Sequence, residues 1–387
     1  MGIYLDWAAT SIPDHEVSRM VYEKSLEIFG NPSSLHTAGI SARKLLDESR
    51  KRAAKAIGVK SENIIFTSGG TESNNIALFS LITKKIKGSI ISTNMEHPSV
   101  FEPLKTAEAL GFKIIRIDPD KNGIIDPEKI IEQLTAETMM VSVMHVNNET
   151  GAIQPVEEIG RMIKQYSAKT GKRIIYHCDG VQAAGKIKID LEKSCIDLYS
   201  ASAHKISGPR GCGLIYCRKK ILPLYAGGGQ ESGIRPGTEN TPAVYGFSLA
   251  LENYSAGIDE NMKKAGLLCS RLLDRLSQVT GCRLLPHERK PFDRRFSPYI
   301  VSFCIGKVPS EVMTRVLSGR GYFISAGAAC SSLKKSESRT LKSMRIDKTE
   351  ASSAVRVSIG PGTSAEDIDG FCKALEEESV KLLTVYG

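Results

Sequence analysis

The sequence lacks any apolar run long enough to cross a membrane, and it lacks the cysteine spacing of a metal site. No stretch of about 18 apolar residues occurs in the 387-residue chain. Its nine cysteines are scattered without C-x-x-C or Cys/His spacing, which argues against a disulfide framework and a zinc site. The N-terminal residues carry neither a basic region nor an apolar secretory segment. We therefore expect a cytoplasmic protein that holds no metal and does not contact the membrane.

The charge of the chain is positive but not concentrated. Lysine and arginine number 52 against 43 aspartates and glutamates, so the formal net charge is +9, which favours anionic ligands or an acidic partner. Because the basic residues are dispersed along the sequence, nucleic-acid binding is not expected. The 41% hydrophobic content is ordinary for a globular protein, and the length allows one large domain and a smaller one.

Short apolar strands alternate with helical patterns up to residue 217. The predicted strands are at 64–66, 89–91, 113–115, 139–145, 173–177, 196–200 and 213–217. Helical patterns between most of them indicate an α/β domain with a mostly parallel, seven-stranded sheet covered on both faces. Ligands of such sheets bind at the carboxyl ends of the strands, so we expect a site in the loops that follow them.

The rest of the chain predicts a second unit. One long helical pattern covers about 241–279, and beyond it lie strands near 299–305 and 355–359 and helices near 309–318 and 365–383, as in a smaller α+β domain. The segment 326–350 lacks periodicity and is predicted to be an irregular, mobile loop. We expect an N-terminal arm at 1–15 that packs with the small domain, a large domain at 16–257 and a small domain at 258–387.

Two loops that follow predicted strands suggest a reactive lysine amine and a phosphate-binding turn. The stretch 202–211 sets Lys205 among small residues and glycines, and partial desolvation there makes an amine a Schiff-base nucleophile. By itself, Lys205 is more simply one of many solvated surface lysines. The glycine turn in 67–75 opens a helix whose backbone N–H groups suit a phosphate. A plain helix cap with Thr71 at the N-cap is the more ordinary interpretation of that turn.

Asp179 and His97 also follow predicted strands. A carboxylate at the end of a buried strand needs a partner, which a protonated pyridine nitrogen would supply; a helix N-cap is the alternative. His97 could stack on an aromatic ring and relay protons, or be a loop histidine with an ordinary hydrogen bond. A phosphate turn, a carboxylate and a lysine, each at a strand end, together predict a pyridoxal-phosphate site.

With these motifs the chain resembles the cysteine desulfurases of the NifS/IscS-like group in the class V pyridoxal-phosphate aminotransferase family. The matching stretches are 4–10, 30–36, 67–75, 95–98, 146–151, 202–211, 235–240 and 356–360. The resemblance implies the aspartate aminotransferase-like fold type I and the conversion of L-cysteine to L-alanine. The sulfur would pass to an enzyme cysteine as a persulfide, for iron–sulfur cluster or thio-cofactor biosynthesis. It also implies a homodimer that delivers sulfur to an acceptor protein such as an iron–sulfur scaffold.

The resemblance assigns roles around pyridoxal 5'-phosphate (PLP). Lys205 would form the Schiff base, and His97 would stack on the ring and act as acid and base. Asp179 would pair with the ring nitrogen, and Gln182 would bond the phenolic oxygen. The phosphate ligands would be Gly70, Thr71, Ser202, His204 and, reaching across from the other subunit, Thr238.

The substrate carboxylate would be held by Asn148, which is also expected at the cofactor, and by Arg356. The planar guanidinium of Arg356 suits a bidentate, charge-assisted pair with a carboxylate. A structural ion pair on the final strand is the alternative interpretation of Arg356.

Cys330 corresponds to the cysteine that takes the sulfur. It lies in a small-residue stretch where a thiolate can be exposed, whereas the other cysteines lie mostly in apolar runs. Two features depart from the family pattern. Trp7 stands where Asn or Tyr is usual, and residues 334–340 replace the usual turn and helix, which changes the surface that an acceptor would meet.

Two other kinds of function fit the same fold. A selenocysteine lyase or another class V aminotransferase is the first, and an aminotransferase would keep full activity in the Cys330→Ala variant. A non-enzymatic sulfur-assembly scaffold is the second, and it would form no Lys205 adduct with the cofactor. The presence of Lys205, Asp179 and His97 argues against the scaffold.

Overall fold

The computed structural model describes residues 2–83, 87–327 and 338–386. The expected nucleophile Cys330 therefore lies outside the described residues, as do the other residues of 328–337 in the predicted mobile loop. The described helices are α1 (His15–Glu27), α2 (Thr37–Ala56), α3 (Gly70–Ile82), α4 (Pro98–Ala109), α5 (Pro127–Glu132), α6 (Val156–Thr170), α7 (Thr241–Ala256), α8 (Ile258–Leu276), α9 (Ser310–Gly319), α10 (Arg339–Ser343), α11 (Lys348–Ser353) and α12 (Ala365–Tyr386). The described strands are β1 (Ile3–Tyr4), β2 (Ile64–Thr67), β3 (Ser89–Thr93), β4 (Lys113–Ile117), β5 (Thr138–Ser142), β6 (Ile175–Asp179), β7 (Leu198–Ser202), β8 (Gly213–Cys217), β9 (Cys282–Leu285), β10 (Ile300–Ile305), β11 (Tyr322–Phe323), β12 (Ser325–Ala326) and β13 (Val355–Ser358).

A seven-stranded sheet lies at the centre of the larger part of the molecule. Its strand order is β2-β8-β7-β6-β5-β3-β4. Strand β8 runs antiparallel to both of its neighbours, and the other pairings are parallel. The predicted α/β class with a mostly parallel sheet, typical of fold type I, is confirmed. Because the other six strands point the same way, their carboxyl ends meet at one edge.

Both faces of the central sheet are covered, which explains its continuous apolar strands. Successive residues of a strand point to opposite faces. Ile91 and Val141 pack into a core with α2, α5, α6 and α7, whereas their neighbours Ile90 and Met140 pack into a core with α3 and α4. A strand buried on both faces carries apolar residues without alternation.

A second sheet, of order β12-β13-β10-β9, is antiparallel. Its core is shared with α8, α9 and α12. The N-terminal arm joins this part of the molecule, because β1 pairs with β11 and Asp6 bridges to Ser358.

Two expectations for the C-terminal part are wrong. The single helix over 241–279 is two helices, α7 and α8, which meet at Gly257, since glycine weakens a helix interior. The irregular loop predicted over 326–350 contains α10 and α11 in its described C-terminal half. Both short helices begin at a capping side chain, Ser338 and Asp347 respectively. In the sequence, these capping residues and not a hydrophobic period mark the two helices.

Membrane-spanning and metal-binding features are not found in the described ranges. No helix there is long and apolar enough to cross a bilayer. Within the same ranges, no three His, Cys, Asp or Glu side chains group as metal ligands would.

Candidate active site

A cavity of about 340 Å³ opens at the carboxyl edge of the central sheet, beside β13 and the N-terminal arm. Most of its walls come from loops that follow β2, β3, β5, β6 and β7. The predicted site residues that line it are Gly70, Thr71, His97, Asn148, Asp179, Gln182, Ser202, His204, Lys205 and Arg356. The cavity therefore lies in the loops where the rule that ligands bind at strand ends predicts a site.

Lys205 is held by the N-terminal arm. It ends a short 3₁₀ turn, Ala203–Lys205, directly after β7. Its Nζ donates to the carbonyl oxygens of Ala8 at 2.6 Å and Ala9 at 2.8 Å. The amine thus lies in the cavity wall, and the arm fixes its position.

Asp179 ends β6 and is 5% exposed. Its Oδ1 accepts from the Val181 N–H at 3.0 Å, and its Oδ2 accepts from Asn74 Nδ2 at 2.8 Å. Asn74 was missed by the sequence analysis, although it stands one turn into the helix that opens at Gly70. Its Oδ1 is buried and finds no hydrogen-bond partner in the described part of the chain.

His97 is the N-cap of α4, and its Nδ1 accepts from the Ser99 N–H at 3.1 Å. Ser99 Oγ lies 2.7 Å from the same nitrogen and accepts from Asn74 Nδ2. A hydrogen-bond chain therefore joins His97 to Asp179 through Ser99 and Asn74. Burial lowers the pKa of His97; Lys205 and Arg339 act in the same direction, whereas Asp179 opposes them.

The start of α3 and the end of β7 form the end of the cavity where the expected phosphate ligands lie. Helix α3 begins at Gly70 with Gly69 as its N-cap, so the interpretation of Thr71 as N-cap is wrong. A Cβ on Gly70 would lie only 2.6 Å from Val181 Cγ2, so the helix start packs closely against this wall. Burial lowers the pKa of His204 to about 4, so its ring is neutral at pH 7 and can share a hydrogen bond with a phosphate.

Gln182 faces both the arm and the cavity. Its Nε2 donates to the Ala8 carbonyl oxygen at 2.9 Å, the same oxygen that accepts from Lys205. Its Oε1 is buried and has no partner among the described residues.

Arg356, on β13, is 2% exposed. Its Nη1 donates to the Asn148 carbonyl oxygen at 2.7 Å, and its Nη2 donates to Asp6 Oδ1 at 2.9 Å. The structural ion pair considered for Arg356 therefore exists, and the same side chain also lines the cavity. Asp6 was not singled out from the sequence.

Two predicted site residues are not placed in this cavity. Thr238 is exposed and does not line the cavity of its own chain. Cys330 belongs to the ten residues between 327 and 338 that fall outside the described ranges.

The residues present fit PLP. A helix N-terminus with neutral hydrogen-bonding groups suits the phosphate, a buried carboxylate suits the pyridinium nitrogen, and a lysine amine stands at the same cavity. The buried Gln182 Oε1 and Asn74 Oδ1, which lack partners, mark places in or beside the cavity where polar groups are left unsatisfied.

Comparison with known proteins gives one consistent family. The family described as aminotransferase class-V matches residues 3–371. The chain is 36% identical over 389 residues to cysteine desulfurase IscS of Dictyoglomus turgidum, covering 99% of this chain and 96% of that protein. It is also 36% identical over 387 residues to putative cysteine desulfurase IscS 1 of Bacillus subtilis, covering 99% of each. A solved structure named NifS-like protein superposes with a TM-score of 0.89 at 34% identity, covering 99% of this chain and 100% of that one.

Proposed function

Since the chain belongs to the class-V aminotransferase family, in its NifS/IscS-like cysteine desulfurase group, we propose that it is a PLP-dependent cysteine desulfurase. It converts L-cysteine to L-alanine and passes the sulfur to its own Cys330. The observation that carries this proposal is the gathering of Lys205, Asp179, His97 and Arg356 around one cavity at the sheet edge.

Each cavity residue has a task that its surroundings support. Lys205 would anchor the cofactor and would act as a base once the substrate amine has taken its place. Asp179, fixed by two hydrogen bonds, would hold a proton on the ring nitrogen, and PLP when bound would supply an electron sink for breaking the carbon–hydrogen bond of cysteine. His97 would cover the ring and move protons, while Gln182 would bond the phenolic oxygen.

The two ends of the cavity bind anions. Gly70, Thr71, Ser202 and His204 hold the phosphate, where the dipole of α3 adds to the hydrogen bonds. Arg356 and Asn148 hold the substrate carboxylate. Because Arg356 already contacts Asp6 through Nη2, the substrate shares the guanidinium with that aspartate or displaces it.

The sulfur transfer balances without an external redox agent. The Cβ–S bond of cysteine breaks, an S–S bond forms on Cys330, and the thiol proton of Cys330 balances the new C–H bond of alanine. The persulfide then passes its outer sulfur to an acceptor protein, such as an iron–sulfur scaffold.

We further propose that the enzyme is a cytoplasmic homodimer. Large apolar side chains are exposed on α1, α2 and the turn between them: Tyr22, Leu26, Phe29, Leu35 and Ile40. Leu35 is 94% exposed, which is costly for a side chain that no partner covers. A second copy that covers this face would also bring its Thr238, exposed in a single chain, toward the phosphate of the neighbouring site.

The test is incubation with L-cysteine, with alanine and protein-bound persulfide measured in parallel. We expect Cys330→Ala to lose both products, while Cys195→Ala, which changes a partly exposed cysteine far from the cavity, keeps both. Alanine formation undiminished in Cys330→Ala would contradict the desulfurase mechanism, because the sulfur would then leave cysteine without this thiol.

The cofactor anchor has its own test. Borohydride should trap the cofactor on wild-type protein and on the exposed-lysine variant Lys219→Ala, but not on Lys205→Ala. An adduct that survives in Lys205→Ala would place the Schiff base at another lysine.

A further inference from the structure

Arg339 contacts the chain on both sides of His97. Its Nη2 donates to the carbonyl oxygen of Glu96 at 3.3 Å, which belongs to the peptide bond that precedes His97. Its Cζ lies 3.9 Å from the centroid of the Phe101 ring. The N–H of Phe101 in turn donates to the His97 carbonyl oxygen at 3.0 Å. One guanidinium thus contacts both the residue before His97 and the residue one helical turn after it.

We propose that Arg339 is a positioning residue for His97: it fixes the histidine at the start of α4 and places a permanent positive charge beside its ring. The proposal rests on the role of His97 given above, and it names a residue that the family pattern does not supply. Residue 339 lies in the stretch 334–340, which departs from that pattern.

Among the residues that the structure describes, no ion pair cancels the charge of Arg339. Within the described ranges it forms no salt bridge; its partners are a carbonyl oxygen and an aromatic ring, and its Nε is buried without an acceptor. A guanidinium suits this place because its planar face stacks on a ring and stays protonated at every relevant pH. A lysine would keep the charge but lose the stacking.

The ionisable groups around His97 determine the direction of the effect. Lys205, from the turn after β7, and Arg339, from α10, reinforce the burial that lowers the pKa of His97, whereas Asp179, from β6, raises it. Of the nearby carboxyls, burial raises the pKa of Glu96 to about 8, so Glu96 offsets the cations little at neutral pH. Burial also raises the pKa of Glu149. Arg339 therefore helps to keep the ring neutral and able to accept a proton.

The geometry of His97 agrees with a neutral ring. Its Nδ1 accepts from the Ser99 N–H, and a nitrogen that accepts a hydrogen bond carries no proton. While Arg339 holds the Glu96 carbonyl and the Phe101 ring, that acceptor faces Ser99 and the His97 ring lines the cavity. Loss of Arg339 would remove its contacts with Glu96 and Phe101 and, at the same time, its positive charge.

The experiment titrates His97 in the holoenzyme by NMR of labelled histidine. The chain has seven histidines, and the His97→Gln variant identifies the signal. We expect Arg339→Met to move the His97 midpoint to higher pH, because a neighbouring cation is lost. In Arg339→Lys, which keeps the charge, the His97 midpoint should stay closer to the wild-type value. This variant can also be measured if Arg339→Met does not fold.

Arg116→Met is the matched control. Arg116 also stacks on Phe101, at 5.3 Å, and its Nε is likewise buried without a partner, but it is not among the charges that act on His97. An unchanged His97 midpoint in Arg339→Met, or an equal shift in Arg116→Met, would overturn the proposal.

A second readout separates this inference from the proposed function. If His97 transfers protons, the acid limb of alanine formation should move with its NMR midpoint in Arg339→Met. A midpoint that moves while the rate profile does not would support the positioning role and refute the catalytic role of His97. Wild-type enzyme that forms no alanine would refute the proposed function, and the titration would still decide on Arg339.

Discussion

The substitution Gly70→Ala tests whether the start of α3 is shaped to bind a phosphate. A Cβ at this position would meet Val181 Cγ2 at 2.6 Å, whereas carbon atoms in good contact are about 3.5–4.0 Å apart. The overlap is about 1 Å, and valine is stiff about χ1, so either the valine or the helix start must move. Overpacking of this size costs about 1–3 kcal/mol.

The substitution should weaken cofactor binding, because both Gly70 and Val181 line the cavity. If the helix start moves to relieve the contact, the affinity for PLP drops about 5- to 150-fold. The assay is titration of the apoenzyme with PLP, followed by cofactor absorbance and by fluorescence of Trp7, the single tryptophan.

Two further variants make the result specific. Gly319→Ala, at the end of α9, places its Cβ in open space and should bind PLP as the wild type does. Val181→Ala removes the methyl group that Gly70→Ala would strike, so the double variant should recover most of the lost affinity. Affinity of Gly70→Ala within twofold of wild type, or a double variant as weak as the single, would refute the reasoning.

Two more predictions concern buried ionisable groups that are given no role in the reaction. Glu231, whose side chain is 1% exposed, pairs with Arg50 through two hydrogen bonds of 2.6 and 2.7 Å. Glu231→Ala should lower the free energy of unfolding in urea by about 3–5 kcal/mol. Asp369→Ala, which breaks an exposed pair with Arg271, should lower it much less, and equal losses would contradict this. Burial lowers the pKa of Lys186 to about 7 from 10.5, so the unfolded chain binds more protons between those values and stability should rise with pH across that window. Lys186→Met should flatten this rise and the exposed-site variant Lys219→Met should not; an unchanged slope in Lys186→Met would count against a buried, neutral amine.

Local patterns in the sequence predicted the elements whose formation depends on local chemistry. The helix at 156–170 and the strand at 213–217 have the expected bounds, because glycines or prolines flank uninterrupted apolar or amphipathic runs. Helices α10 and α11 were missed because five or six residues are too few to show a period. Gly257 was overlooked inside a pattern that is apolar on both sides of it.

The residues of the candidate site likewise fall into those that a local pattern predicts and those that only the tertiary fold brings together. Strand ends are visible in the sequence, so the residues that follow them, such as Asp179 and His97, could be predicted. The partners that hold them come from distant parts of the chain: Asp6 meets Arg356 across 350 positions, and the Ala8 carbonyl meets Lys205 across 197. No local pattern reports such pairings, since the tertiary fold alone brings them together.

The N-terminal arm also sets an order of events during protein synthesis. The arm is synthesised before the strands of the central sheet, yet Ala8 N–H donates to Ser358 Oγ and Asp6 pairs with Arg356, both on β13. A nascent chain that ends before β13 therefore has an untethered arm and a cavity without one wall. Contacts of such long range form late, so the central sheet can fold during translation, while the cavity is completed only after β13 has been made.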